Sequence, residues 1–307
     1  MTLLEYRVFH TVIQQGTFAR AAQALHLTPS AISHAVSSME EACGFALFVR
    51  GRGGVRLTHM GETLYPLIRQ VLSAEEAFNQ AIDDVKGVQK GTVRIGAFNS
   101  VCVSWVPELV RAYRAEFPEV TLEVYQGSYS DVLQWIKTDV VDLGFLSQES
   151  AGDLSFKPLY RDRLMVLAPR GWPTKAPGVI TPEELRGQSF VVQGDTVDAD
   201  IQAFLSRHEI SVRTTSRVTD DLSTFAMVEG GFGLCIMPNL VLEAYHGSAE
   251  ILPIEPISYR EFGVAVSHPQ MLPPAVRQML RVIEGFAAQK RLQAPAANAQ
   301  LHAFLSE

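Results

Sequence analysis

From Leu64 the chain places Leu67, Val71, Ala74, Phe78, Ala81 and Val85 at alternating steps of three and four residues. Apolar residues kept in that register through three heptads predict one long helix, from Thr58 to about Lys86 and ended by Gly87, with the seam of a coiled coil. Pro66 lies inside it, removes one backbone hydrogen bond and predicts a kink. The stripe packs either on its own chain or on a second copy, and the heptad register favours the second copy. The helix also divides the 307 residues into a small head before it and a larger body after it, in keeping with about two or three domains.

Charge follows the same division. The net charge of −7 argues against a nonspecific polyanion binder. Yet residues 1–60 carry Arg7, Arg20, Arg50, Arg52 and Arg56 against Glu5, Glu40 and Glu41, which is +2 and leaves −9 on the rest. A mildly basic head on an acidic body is expected where only one end meets nucleic acid.

In the head, Leu4, Val8, Phe9, Val12 and Ile13 recur at helical spacing up to Gly16. Thr17 can cap a second helix bearing Ala21, Ala22 and Leu25, and Thr28 with Pro29 opens a third. Ile32, Val36 and Met39 share one face of that third helix, while Ser30, Ser33, His34 and Ser37 share the opposite one. Two short helices joined by a tight turn, with alanines at their crossing, form a helix-turn-helix whose second helix enters the major groove. At this level a helical bundle with a serine-rich solvated face fits the spacing equally well.

The flanking residues distinguish the two. Met1–Thr58 resembles the winged helix-turn-helix of bacterial LysR-type transcriptional regulators: Phe9, Gly16-Thr17-Phe18 with Ala21-Ala22 and Leu25, LTPSAISHAVSSMEE, Gly44 with Leu47-Phe48, then Arg50 and GVRLTHMGE. The resemblance implies that Thr28, Pro29, Ser30, Ser33 and His34 face DNA bases or adjoining backbone, and that Arg50, Arg52 and Arg56 form a phosphate- or minor-groove-holding wing. His34-Ala35 stands where the family often has Arg-Gln, so specificity would lean on DNA shape or on several half-sites at once. In this family the long helix dimerises, which gives Leu64, Leu67, Val71, Ala74, Phe78, Ala81 and Val85 their role in a homodimer or homotetramer.

After residue 91 the pattern becomes alternating strands and helices: TVRIGA, TLEVYQ, VDLGFLS, RLMVLA, FVVQG, VRTTSRV, LCIMP and FGVAVS are the strands. Such alternation implies a parallel sheet with crossover helices. The region resembles the family's effector-binding domain, which has the fold of periplasmic solute-binding proteins. The expected chain is therefore an α+β multidomain protein: a winged helix-turn-helix over 1–58, a linker helix over 59–87 and a two-lobed α/β effector domain over 88–307. One lobe is expected at 92–162 with 268–290 and the other at 163–267, with hinge crossings near Asp162–Leu164 and Ser267–His268.

In open α/β folds, ligands sit at the carboxyl ends of strands. Those positions hold Asn99, Ser100, Val101, Cys102, Ser128, Tyr129 and Ser147 in the first lobe, and Gln193, Asp195, Thr196, Asp221 and Thr224 in the second. Hydroxyls and free N–H groups at helix starts favour a carboxylate effector; Asp195 and Asp221 offer partners to an amine or hydroxyl. Beside a helix start the Cys102 thiolate would be stabilised and the thiol reactive, although no resolving partner accompanies it.

Other classes have little support. Cys43, Cys102 and Cys235 show neither a disulfide framework nor zinc-ligand spacing, and nothing calls for a cofactor or metal. No basic region followed by an apolar run opens the chain and no long apolar run occurs, so a cytoplasmic protein that does not enter a membrane is expected. No catalytic motif such as GxSxG or HExxH is present, so no catalytic residue is assigned and no enzyme is expected. The expected activity is sequence-specific transcriptional regulation tuned by a small effector, with promoter DNA and RNA polymerase as partners. The alternative is a cytoplasmic solute-binding receptor without a gene-regulatory role.

Overall fold

The computed structural model describes residues 1–51, 54–85, 90–193 and 198–293. In the head, α1 (Leu3–Gln15) starts at a Thr2–Glu5 capping box and stops at Gly16, whose φ of 70° places its N–H on Val12 O. Thr17 caps α2 (Phe18–Ala24) and Thr28 caps α3 (Pro29–Cys43), which Gly44 closes at φ 79°. Val8, Phe9, Val12, Ala21, Ala22, Ile32, Val36 and Met39 bury against one another in a single core. Leu4, although in phase with Val8, is 54% exposed; it lies in the first turn, beyond the reach of the neighbouring helices.

The wing is a two-stranded antiparallel hairpin, β1 (Phe48–Gly51) and β2 (Gly54–Leu57), with Phe48 opposite Leu57 and Arg50 opposite Val55. Two contacts hold it against the helices. Val55 N–H donates to Gly16 O at 2.9 Å, and a Cβ on Gly54 would stand 2.6 Å from that same oxygen, so only glycine permits the approach. The Glu40 carboxylate, on α3, accepts the N–H groups of Leu47 and Phe48 at 2.7 and 3.1 Å.

The linker helix α4 (His59–Val85) runs through Pro66 without a break and presents three faces. Leu64, Tyr65, Ile68 and Leu72 pack on the head core. Arg69 and Glu76 face the junction of head and body: Arg69 donates to His10 Nε2 of the head at 3.2 Å and to the carbonyl of Asp139 of the body, and Glu76 pairs with Arg94 at 3.2 Å. Leu67, Val71, Ala74 and Phe78 form the third face and are exposed, Phe78 by 66%. Leu64 thus departs from the expected stripe, because positions four apart (64, 68, 72) follow the head core around the helix. The side chains of Ala81 and Val85 lie outside the described residues.

His10 shows what that junction requires. Burial, then the guanidinium groups of Arg69 and Arg94, lowers its pKa to about 4 from an ordinary 6.5. Since Arg69 can only donate, Nε2 must accept and the ring proton sits on Nδ1, facing Tyr65 Oη at 3.0 Å. A folded-state pKa below the unfolded one means that stability is complete above pH 6.5 and lost as pH falls towards 4. His10→Gln retains an acceptor and a donor without titrating. Chemical denaturation at pH 7 and pH 4.5 is expected to show wild type losing about 2 kcal/mol more than the variant.

The body begins with β3 (Gly91–Ala97), α5 (Asn99–Ser104), α6 (Val106–Glu116), β4 (Val120–Gln126), α7 (Tyr129–Lys137) and β5 (Leu143–Ser147). The 14-residue β6 (Ser155–Ala168) then leaves this lobe for the second. There follow α8 (Pro182–Leu185), β7 (Ser189–Gln193), α9 (Ala199–Arg207), β8 (Arg213–Val218), α10 (Asp221–Glu229), β9 (Cys235–Pro238), α11 (Asn239–Leu242) and β10 (Glu250–Pro253). β11 (Tyr259–Val266) returns to the first lobe and α12 (Pro274–Gln293) packs on it through Val276, Met279, Ile283 and Ala287.

Two expectations are corrected. The sheet, in the order β10-β6-β11-β5-β3-β4 with β9 also on β6, is mixed: β3 is parallel to β4 and β5, whereas β6, β9, β10 and β11 join antiparallel. A chain that leaves a lobe on one strand and returns on its neighbour must run the two in opposite directions. The second crossing also lies near Ser258–Arg260, opposite Asp162–Leu164, and not at Ser267–His268, because Phe262, Val264, Ala265 and Val266 belong to the first lobe's core. The second lobe has its own core of Leu164, Phe190, Phe204, Leu205, Ile236 and Ile254, among others.

Candidate nucleic-acid interface and interlobe cleft

At the start of α3, Thr28, Pro29, Ser30 and His34 are exposed and Ser33 is half-buried, while Ile32 and Val36 point into the core. Thr28 Oγ1 serves as the cap for Ala31 N–H and lies 2.9 Å from Ser30 Oγ. This end of α3 therefore offers rigidly held hydroxyls and an imidazole, which is the chemistry of base-edge reading. Arg56 is exposed on β2. Arg50 has a described backbone position on β1 but no described side chain, and Arg52 lies outside the described residues.

Between the lobes the central group is one that sequence reading missed. Arg260, 4% exposed, pairs with Asp162 at 2.7 Å, donates to Ser100 Oγ at 2.6 Å and to Tyr129 Oη at 3.0 Å. Tyr129 Oη donates in turn to Asp200 on α9 at 2.9 Å, while the buried Ser147 hydroxyl donates to Ser150 Oγ at 2.9 Å. Burial raises the pKa values of Asp162 and Asp200, with Arg260 opposing it. Burial also works against the charge of Arg260, but Tyr129, Asp162 and Asp200 outweigh it and the guanidinium stays cationic. A second group joins the lobes nearer the surface: Asn99 and Gln193 both donate to the Asp221 carboxylate, and Gln126 donates to Asn99 Oδ1 at 2.6 Å.

Of the anticipated effector residues, the structure brings Asn99, Ser100, Tyr129, Ser147, Gln193 and Asp221 to this cleft. Val101 is fully buried in the first lobe's core. Thr224 is fully buried and its hydroxyl donates back to Asp220 O at 2.8 Å. Ser128 is the cap of α7, closed in a box with Asp131. The Cys102 thiol points to Ala97 O, and burial pushes its pKa up to about 11, the opposite of a reactive thiolate. Asp195 and Thr196 lie outside the described residues. In the second lobe, Phe190, Val192, Ile201, Leu205 and Cys235 line a small apolar cavity of about 30 Å³ with Gln193 and Asp198 on its wall.

A signal for Arg260 was present. It shares strand parity with Phe262, Val264 and Val266, all buried, so it is a charge at a core-facing position. Asp162 stands opposite it in the β6–β11 register. Asp200 carried no comparable sign, since an acid in the first turn of a helix is ordinary.

A helix-turn-helix with an exposed polar recognition face, joined through a long helix to a hinged two-lobed body, defines a DNA-binding regulator with a ligand-binding domain. Residues 3–62 match the model of the bacterial regulatory helix-turn-helix protein, lysR family, and residues 86–288 that of the LysR substrate binding domain. The chain belongs to the LysR family of transcriptional regulators. It is 25% identical to an uncharacterized HTH-type transcriptional regulator, YvbU, of Bacillus subtilis (strain 168), over 87% of this chain and 92% of that one. Full-length OxyR from Pseudomonas aeruginosa has the same fold, with a TM-score of 0.76 at 24% identity, covering 92% of this chain and 94% of that one. CbnR solved in complex with its target DNA gives 0.63 at 17% identity, over 92% and 99% of the two chains. Among the described residues no helix is long and apolar enough to cross a membrane.

Proposed function

We propose that two copies pair through the exposed face of α4 and read promoter DNA with Thr28, Pro29, Ser30, Ser33 and His34, while Arg50, Arg52 and Arg56 hold the backbone. A small-molecule effector acts at the interlobe cleft through Asn99, Ser100, Tyr129, Ser147, Gln193 and Asp221. The carrying observation is the pair of outward faces on either side of the head core: the polar start of α3 and the apolar Leu67–Val71–Ala74–Phe78 face of α4. The donors Ser100, Tyr129 and Arg260 support a carboxylate as effector. The regulator acts in the cytoplasm, engages RNA polymerase at the promoter and catalyses no reaction.

A single head of charge +2 binds weakly, and pairing converts the second contact into an intramolecular one. Val71→Glu with Phe78→Glu is expected to leave a folded monomer by sedimentation and to lower operator affinity by about 100-fold or more. A variant that stays dimeric, or a monomer that binds as tightly as wild type, removes α4 as the pairing element. Operator titrations repeated with candidate organic acids test the effector; an unchanged affinity and DNA bend with every cleft-binding acid excludes it.

A further inference from the structure

The donors that would recognise an effector carboxylate are already occupied by the chain itself. Asp200 sits in the first turn of α9, in the second lobe, whose core holds Phe204 and Leu205 of the same helix. Its carboxylate crosses the cleft to Tyr129 of the first lobe, and Tyr129 is itself held by Arg260. Asp200 is 7% exposed and Arg260 4%, so the contact is sealed from water and not a surface pair. Asp162 takes the other side of the same guanidinium from within the β6 crossing. Arg260 is thus shared between an acid that belongs to the hinge and a tyrosine that reports to the far lobe.

We propose that Asp200 is a tethered stand-in for an effector carboxylate: it closes the two lobes with no small molecule bound, and a free carboxylate takes the site only when Asp200 leaves it. This rests on the reading of the cleft as the effector site. A carboxylate attached to α9 competes at a high effective concentration, so an external acid must add contacts of its own to displace it. The closed form is then the resting form, and an effector acts by exchanging one carboxylate for another and not by closing an open cleft.

The test is chemical rescue of the full-length chain. Asp200→Ala should lower Tm by about 5 °C or more and speed amide exchange in α7 and α9, which Tyr129 and Asp200 join across the cleft. Formate or acetate, against chloride at matched ionic strength, should restore both in the variant and leave wild type unmoved. Unchanged Tm and exchange in the variant, or equal gains from formate in wild type, overturn the proposal. Should Asp200→Ala fail to fold, Tyr129→Phe removes the donor while keeping the ring. It should speed exchange in α9 without formate rescue, and wild-type exchange there overturns the proposal as well. A small molecule that stabilises wild type and the Asp200 variant alike would keep the cleft as the effector site while removing the role of Asp200.

Discussion

Arg260→Met is expected to lower Tm by about 10 °C, the largest effect of any single substitution in the cleft. The guanidinium is the cation between Asp162 and Asp200, and its removal leaves two buried carboxylates without a counter-charge. Breaking a buried pair from one side costs about 3–5 kcal/mol, which for a body of this size corresponds to roughly 6–20 °C. The two carboxylates already hold pKa values above the ordinary range through burial, and losing Arg260 raises them further. A raised folded-state pKa gives stability that is present at low pH and lost as pH rises through it. The variant should therefore recover on mild acidification, in the direction opposite to the His10 effect. Pairing Arg260→Met with Asp162→Asn removes one stranded charge while keeping an acceptor for Leu240 N–H, which now bonds Asp162 at 3.2 Å. Thermal melts of the single and double variants at pH 5 and pH 8 check this; a double variant no better than the single one would show that packing, not charge, is what Arg260 provides.

Ser33→Ala combined with His34→Ala is expected to weaken operator binding by about 10–100-fold, the range of one or two lost base contacts, while leaving random-sequence affinity nearly unchanged. The reasoning is a division of labour on the head. The start of α3 bears no lysine or arginine between Thr28 and Ala35, so it has little nonspecific affinity to lose. Arg56→Ala, on the wing, should weaken both kinds of DNA and reduce the dependence on salt by about one counterion per head. Anisotropy titrations on operator and scrambled duplexes at two salt concentrations separate the cases. Equal losses on both duplexes from the α3 variant would remove Ser33 and His34 from the reading face.

The head was legible because its signals are local. Gly16, Thr17 and Thr28-Pro29 mark helix ends through contacts within four residues. The buried set Ile32, Val36 and Met39 follows directly from helical spacing. The cleft was legible only in part. Strand ends locate Asn99, Ser100, Tyr129, Gln193 and Asp221, since side chains there emerge at the sheet edge. Val101 and Thr224 occupy the same kind of position, yet they turn inwards, because the rotation of a helix start about its axis depends on what it packs against. Arg260 is 160 residues from the Ser100 it bonds, and no local pattern couples them.

The sequence by itself determined the division into head, linker and body, the polar face of α3 and the apolar Leu67–Val71–Ala74–Phe78 face of α4, all of which follow from periodicity and capping within one element. Only the tertiary structure decided which face of α4 Leu64 joins, on which strand the chain returns to the first lobe, and that Asp200 fills the cleft from the far lobe. Those outcomes depend on contacts between residues far apart in the chain, where burial of charge is decided by what stands opposite and not by what comes next.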